Sequence, residues 1–285
     1  MFVSPMLLHR IDKPFDDNEW LSELKLDGIR FLYSTMNKFN FYTRHKNEVT
    51  ERFPELIDAQ ISKGTILDGE IVISDGNGKP DFEQLMSRFQ VSNLRRIPLI
   101  SKIKPVTFCA FDVIYFKGKK VSHLPLSERK EILDDVLPED LPLIAKVLSI
   151  KGNGKALFDL TQQQQLEGIV MKKKDSKYEI GKRSNNWLKI VNYQYATVEI
   201  AGFRKSQFGL VLRFLDGAPA GIMELGVPAE ARKTIYQLAK LIECKEIDDY
   251  IYFPKANEVL QCQVKYRALL KSGYLRLPSF VKFAS

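Results

Sequence analysis

The chain has 285 residues, enough for one large or two ordinary domains, and its 45% hydrophobic and 27% charged content is that of a globular protein. No apolar run approaches the roughly 20 residues of a membrane span, and the start "MFVSPMLLHRIDKPFDD" lacks the basic-then-apolar order of a signal peptide, so a cytoplasmic location is expected. The formal charge of +8, from 43 Lys and Arg against 35 Asp and Glu, suits a polyanionic partner such as nucleic acid. Cys109, Cys244 and Cys262 lie far apart, as do His9, His45 and His123, which excludes a disulfide framework and a His/Cys zinc site.

In chain order, "LSELKLDGIR" at 21–30 reads as a strand in which Lys25 and Asp27 would share a face, with Gly28 allowing close backbone approach. "RFLYSTMNKFNFYTR" gives two apolar runs around the turn "TMNK". "TILDGEIVISDGNGKPDF" gives a strand and a Gly-rich turn, where Asp75-Gly76 and Asn77-Gly78 signal a hairpin. Asp81 then caps a helix "FEQLMSRFQ", with Gln84 completing a capping box. "VTFCAFDVIYFKGKK" is a strand plus turn, "LSERKEILDDVL" a helix, "PEDLPLI" a loop, and "LEGIVMKKK" and "WLKIVNYQYATVEIAGF" are strands. Beyond about Val191 short strands dominate: "ATVEIAGFRK", "GLVLRFLDG", "AGIMELGV", "EVLQCQVKYRAL" and "YLRLPSFVKF". One helix, "PAEARKTIYQLAKLIE", interrupts them, with Pro228 in its first turn. Five strands and one helix predict a small OB-type barrel.

The chemistry-bearing residues form an ordered inventory: Lys25 as a nucleophile, Glu70 and Glu167 as carboxylates able to hold Mg²⁺, Phe111 for a base, and Lys172, Lys182, Arg183 and Lys189 for phosphates. Each alone has a plainer reading. Glu70 and Glu167 could be solvated edge charges, Phe111 core, and the lysines a wet basic face.

As an ordered set, Lys25-Leu-Asp-Gly-Ile-Arg30, Thr43-Arg44, Asp68-Gly-Glu70, Phe111-Asp112, Glu167-Gly-Ile-Val and Lys189 resemble the covalent nucleotidyltransferases. Within them the chain is most similar to ATP-dependent DNA ligases of the small solitary bacterial and phage type. The runs "YTRHKNEVTERFPEL", "LDGEIVISDGNGKPDF" and "GKRSNNWLKIVNYQYA" carry that likeness. The resemblance implies an α+β fold: an antiparallel-sheet adenylation domain over 1–191 and a C-terminal OB-fold DNA-binding barrel over 192–285. It implies that Lys25 attacks the α-phosphate of ATP and becomes lysyl-AMP. Glu23 would help read adenine, Asp27 support the pocket, and Arg30 and Arg44 hold the AMP or DNA 5′-phosphate. Glu70 would contact the ribose near the metal, Phe111 stack on adenine, and Glu167 bind Mg²⁺ (or Mn²⁺). Lys172 and Lys189 would contact the α-phosphate, and Arg183 assist strand joining. The implied partner is nicked double-stranded DNA, and the implied state a monomer.

Lysine suits this role because its phosphoramidate can hand AMP onward. Its ordinary pKa of about 10.4 leaves only about 1 in 10³ as free amine near neutral pH, so neighbouring cations and a metal are needed to favour that form. Three positions depart from the family pattern. Val191 stands where many relatives have a second hinge lysine, Lys46 where they often have glycine, and the chain stops at "PSFVKFAS" without an Arg-x-Asp-Lys element. Nothing before Lys25 reads as a DNA-clamping domain. An RNA-capping guanylyltransferase or RNA ligase shares the Lys-x-Asp-Gly core, although the Glu23-x-Lys25 spacing favours the DNA ligase. A catalytically silent nucleic-acid-binding module is the reading from another class.

Overall fold

The computed structural model describes residues 1–57, 61–254 and 260–284. The chain divides into two compact units, Met1–Asn192 and Tyr193–Ser285. The first carries strands β1 (Leu7–Arg10), β2 (Trp20–Leu24), β3 (Ile29–Ser34), β4 (Asn40–Thr43), β5 (Ile66–Val72), β6 (Thr107–Phe116), β7 (Lys119–Lys120), β8 (Ile144–Lys146), β9 (Ser149–Lys151), β10 (Gly168–Lys173) and β11 (Arg183–Val191). Its helices are α1 (Phe82–Phe89), α2 (Ile97–Ile103), α3 (Leu126–Val136) and α4 (Gly154–Gln163). One sheet runs β4-β3-β5-β6-β7, antiparallel, with β8 added parallel to β6. The other runs β1-β11-β10-β2-β9, antiparallel except for β1 beside β11.

Strand alternation decides what each face carries. In β3, Phe31 and Tyr33 enter an aromatic core with Phe41, Phe53 and Phe108, while Leu32 faces a second cluster with Met6, Phe111, Tyr178 and Trp187. In the other sheet Ile169, Met171, Leu188 and Ile190 pack with Leu157 of α4. Trp187 points the opposite way, into the cluster shared with the first sheet. The alternate residues of β5, Asp68 and Glu70, and of β10, Val170 and Lys172, are thereby left to line the space between the sheets. A bulge where β5 pairs with β6 resets the alternation, so Ala110 and Val113 join one cluster while Phe111 and Ile114 join the other.

The expected Asp81 cap is present: its Oδ1 accepts from the Gln84 N–H at 2.9 Å, and Gln84 Nε2 donates to Oδ2 at 2.8 Å. The Asp75–Gly78 hairpin signal is met by a minimal hairpin: Ser74 and Pro80 form an antiparallel bridge, the Asp75 and Asp81 N–H groups donate to the Lys79 and Ile73 carbonyls at 2.7 Å each, and Asp75 Oδ1 accepts from the Asn77 and Lys79 N–H groups at 2.8 and 2.9 Å. Residues 25–28 are also not strand. They form the connection that carries the chain from β2 in one sheet to β3 in the other. Gly28 makes that crossing possible, because a Cβ there would lie 2.3 Å from the Ile71 carbonyl oxygen and 2.8 Å from Glu70 Cγ. Gly28→Ala is expected to cost about 1–3 kcal/mol in urea unfolding, since backbone must shift to admit the methyl.

The second unit holds β12 (Gln194–Arg204), β13 (Leu210–Phe214), β14 (Pro219–Met223), α5 (Ala229–Ala239), β15 (Lys245–Ile247), β16 (Tyr250–Tyr252), β17 (Gln261–Tyr266) and β18 (Ser279–Phe283). These seven strands form one sheet, in which the long β12 pairs with β13, β16 and β17. The ends approach each other through the Leu225–Ser279 bridge, around a core that includes Val198, Leu212, Met223, Ile235 and Val264. The β15–β16 hairpin raises the count above the five strands expected. The start of the expected strand at 258–259 lies outside the described residues. Pro228 is the N-cap of α5, one place earlier than expected.

Candidate active site

Between the two sheets of the first unit lies a narrow cleft lined by Glu23, Lys25, Arg30, Glu70, Phe111, Lys172 and Trp187 among others. Lys25 follows β2 directly. Its backbone N–H donates to the Gly168 carbonyl at 2.9 Å, and its Nζ lies 2.8 Å from Glu167 Oε2. Gly168 sits at φ +133°, where a Cβ would lie 2.1 Å from the Ile190 carbonyl oxygen. The Glu-Gly pair at the start of β10 therefore brings its backbone hard against β11 and its carboxylate onto Lys25.

A cationic end adjoins this pair. Burial lowers the Lys189 pKa, and the charges of Lys25, Arg183, Arg44 and Arg10 lower it further. Five cations thus bear on one region, which is what a polyphosphate needs. Arg183 is also tied to the Leu8 carbonyl of β1.

The opposite end is aromatic and internally paired. Lys172 Nζ sits 4.2 Å from the Phe111 ring centroid, 4.4 Å from that of Trp187 and 2.6 Å from Glu23 Oε2. Burial brings Lys172 down to about 8, against the raising influence of Glu23. Burial alone would push the Glu23 carboxyl up, but Lys130 and Lys172 outweigh it and hold it below the ordinary carboxylate range. Arg30 grips Asp68 with two hydrogen bonds, Nε to Oδ1 at 2.6 Å and Nη2 to Oδ2, and covers Phe111 at 4.6 Å. Tyr178 also donates to Asp68, at 2.5 Å.

A family model described as "ATP dependent DNA ligase domain" matches residues 5–190. The "SPbeta prophage-derived DNA ligase-like protein LigB" of Bacillus subtilis (strain 168) is 44% identical over 281 residues, 98% of either chain. The chain belongs to the ATP-dependent DNA ligase family. A solved structure described as "DNA binding with a minimal scaffold: Structure-function analysis of Lig E DNA ligases" matches with a TM-score of 0.70 at 18% identity, covering 98% of this chain and 99% of that one. Another, "mycobacterial DNA ligase D complexed with ATP and MES", matches with 0.60 at 22% identity over 99% and 95%. These likenesses carry the fold: α+β, an antiparallel-sheet adenylation domain followed by an OB-fold barrel.

Lys25 pairs with Glu167 and bears on Glu70, and Lys25, Arg183 and Arg44 bear on Lys189. Arg30 and Lys172, two expected phosphate contacts, line the same cleft as Lys25, and each already faces a carboxylate. Arg30 is committed to Asp68, and Lys172 to Glu23 at the aromatic end. Residues that sequence reasoning passes over are Lys130 and Ser149, which hold Glu23, and Arg129, which neutralises Asp112. Lys130 and Arg129 sit inside an ordinary helical charge run, so only the buried carboxylates opposite could have signalled them.

Glu70 is half-buried. Its pKa is raised by burial first, only partly countered by Lys25 and Arg30. Because the folded chain keeps that proton to higher pH than the unfolded chain, stability falls as pH rises through the window between the two values. Glu70→Gln keeps an acceptor without the charge. It is expected to raise the unfolding temperature at pH 7.5 by about 2 °C or more while lowering self-labelling by a nucleotide, measured side by side on one preparation.

Proposed function

We propose that this chain is an ATP-dependent DNA ligase that seals nicks in duplex DNA through a lysyl-AMP intermediate. The observation that carries the reading is the Lys25–Glu167 pair, 2.8 Å apart, at the junction of a cationic and an aromatic pocket end. In the first step the Lys25 amine attacks the α-phosphorus of ATP, the bond to pyrophosphate breaks, and a phosphoramidate forms. Lys189, Arg183 and Arg44 balance the charge of the triphosphate and of the departing pyrophosphate. Phe111 supplies an aromatic surface for the base, and Glu23 a carboxylate for its amino group. AMP then passes to the DNA 5′-phosphate, and the 3′-OH of the nick displaces it to close the strand.

Glu70 and Glu167 both border Lys25, and among the described residues no group of three or more His, Cys, Asp and Glu side chains converges. Two carboxylates completed by substrate phosphates suit Mg²⁺ or Mn²⁺ better than an all-protein cage would. When bound, the ion would supply charge stabilisation to the transferring phosphoryl group. Asp27 adds negative charge beside Glu70.

In this reading the second unit grips the duplex. Of its two basic stretches, the one after β12 is occupied internally, with Arg204 on Glu224 and Lys205 on Glu246. Lys265 and Arg267 instead lie over the Tyr193 ring, at 5.1 and 6.0 Å, near the exposed Tyr195. That interleaving of cations and aromatics suits nucleic acid. No helix among the described residues is long and apolar enough to cross a membrane, and a cytoplasmic monomer is the state proposed. Incubation with α-labelled ATP and metal, followed by denaturing electrophoresis, should leave label on the protein, and added nicked duplex should discharge it. A folded protein that takes label from GTP alone, or from neither nucleotide, would sink the reading.

A further inference from the structure

The Glu23 carboxylate has an unusual set of holders. Lys130 of α3 reaches Oε1 at 2.5 Å, Ser149 of β9 donates to Oε1 at 2.8 Å, and Lys172 of β10 reaches Oε2 at 2.6 Å. Glu23 is only 2% exposed, yet it borders the cleft. A carboxylate offers about four acceptor positions. Ser149 takes one, and the two ammoniums lie against the oxygens as ion pairs, which leaves acceptor capacity on Oε2 for a ligand in the cleft. An ionised carboxylate only accepts, so it suits a purine with an amino group at position 6 and opposes one with an oxygen there. A protonated carboxyl could donate to that oxygen and would lose the distinction.

We propose that Lys130 is a positioning residue for nucleotide choice: its ammonium, reaching across from α3, keeps Glu23 aimed and ionised so that the pocket selects a 6-amino purine over a 6-oxo purine. This rests on the lysyl-nucleotide reading above. Lys130 is not itself a catalytic residue: its ammonium pairs with Glu23 from behind and is not among the residues that line the cleft. The groups facing Glu23 are Lys130, Ser149 and Lys172, and Asp112 of β6 bears in turn on Lys172. Removing Lys130 leaves Lys172 as the one cation on the carboxylate, so burial has more weight and the group takes up a proton more readily.

The test compares covalent labelling of the full chain by α-labelled ATP and α-labelled ITP, which differ at position 6 and its neighbouring nitrogen. The parent is expected to prefer ATP. Lys130→Met should narrow the ATP-to-ITP ratio by about tenfold or more, the worth of roughly one discriminating hydrogen bond to a charged group. Lys130→Arg should restore it. In Lys130→Met the ratio should also shrink from pH 7.5 to pH 6, by more than in the parent measured alongside. If Lys130→Met does not fold, Lys130→Gln, which keeps a donor without the charge, carries the same expectation. An equal loss on both nucleotides, or an unchanged ratio in a folded variant, overturns the role of Lys130 and leaves the ligase reading standing. A folded parent that takes label from neither nucleotide overturns both.

Discussion

Lys25→Ala is expected to lose covalent labelling by ATP by at least about 10³-fold, because no other amine in the cleft can take over the attack. Lys189 shares the region but sits among cations, and Lys172 is held against Glu23 at the aromatic end. Lys25→Arg should fail as completely, since a guanidinium stays protonated at any working pH. The second half of the experiment separates chemistry from folding. A nick already carrying AMP on its 5′-phosphate needs no lysyl-AMP, so Lys25→Ala should still close it. Glu167, whose side chain is 6% exposed, loses its ammonium partner in this variant. Some loss of stability is therefore expected alongside the loss of labelling, and an unfolding curve read with the assay would register it. Label retained on Lys25→Ala would mean that the intermediate forms elsewhere and that the motif reading is wrong at its centre.

The parts of this site legible in the sequence are those carried by ordered motifs. Lys25-Leu-Asp-Gly and Glu167-Gly are found by that order, whereas local spacing misleads at 25–28, where the expected strand gives way to a crossing between the sheets. Period-two alternation in β10 and β11 separates the residues turned toward the first sheet from those packed on α4. Pairings set by tertiary structure are not legible in this way. Nothing near Lys130 announces that α3 lies over a carboxylate 107 positions earlier. Nor does the sequence show that Arg30 is paired with Asp68 in the cleft. The helix α4 is hidden in the sequence because it begins at a glycine without a capping side chain and ends in a run of glutamines. The helix α2, "IPLISKI", is hidden because its β-branched residues and proline read as strand and turn. The Asp-Gly and Asn-Gly steps do turn the chain back into a short antiparallel bridge, but turn chemistry does not fix how far the pairing runs, and α1 begins at once.

The largest expected loss of stability comes from a residue outside the catalytic inventory. Arg129 and Asp112 are both fully buried, joined by Nε to Oδ1 at 2.7 Å and Nη2 to Oδ2 at 2.9 Å. The guanidinium also donates to the Leu124 and Ser176 carbonyls, at 2.7 and 2.8 Å. Arg129→Met strands a carboxylate in the interior and should cost about 3–5 kcal/mol, against about 1 kcal/mol or less for a pair at the surface. The measurement is the urea midpoint, which should fall without a change in slope if the unfolded state is unaltered. Replacing both partners tests the cause. Arg129→Met with Asp112→Leu removes the stranded charge and should be less damaging than the two single losses added together, although the two carbonyls remain without their donor. Asp112 follows Phe111 directly, and its Oδ1 also accepts from the Val113 N–H at 2.8 Å, so the pair fixes the backbone beneath the aromatic end of the cleft. Residual labelling by ATP in the folded fraction of Arg129→Met should therefore show a raised KM before any fall in kcat, because the base surface moves while Lys25 and Glu167, at the ends of β2 and β10, do not.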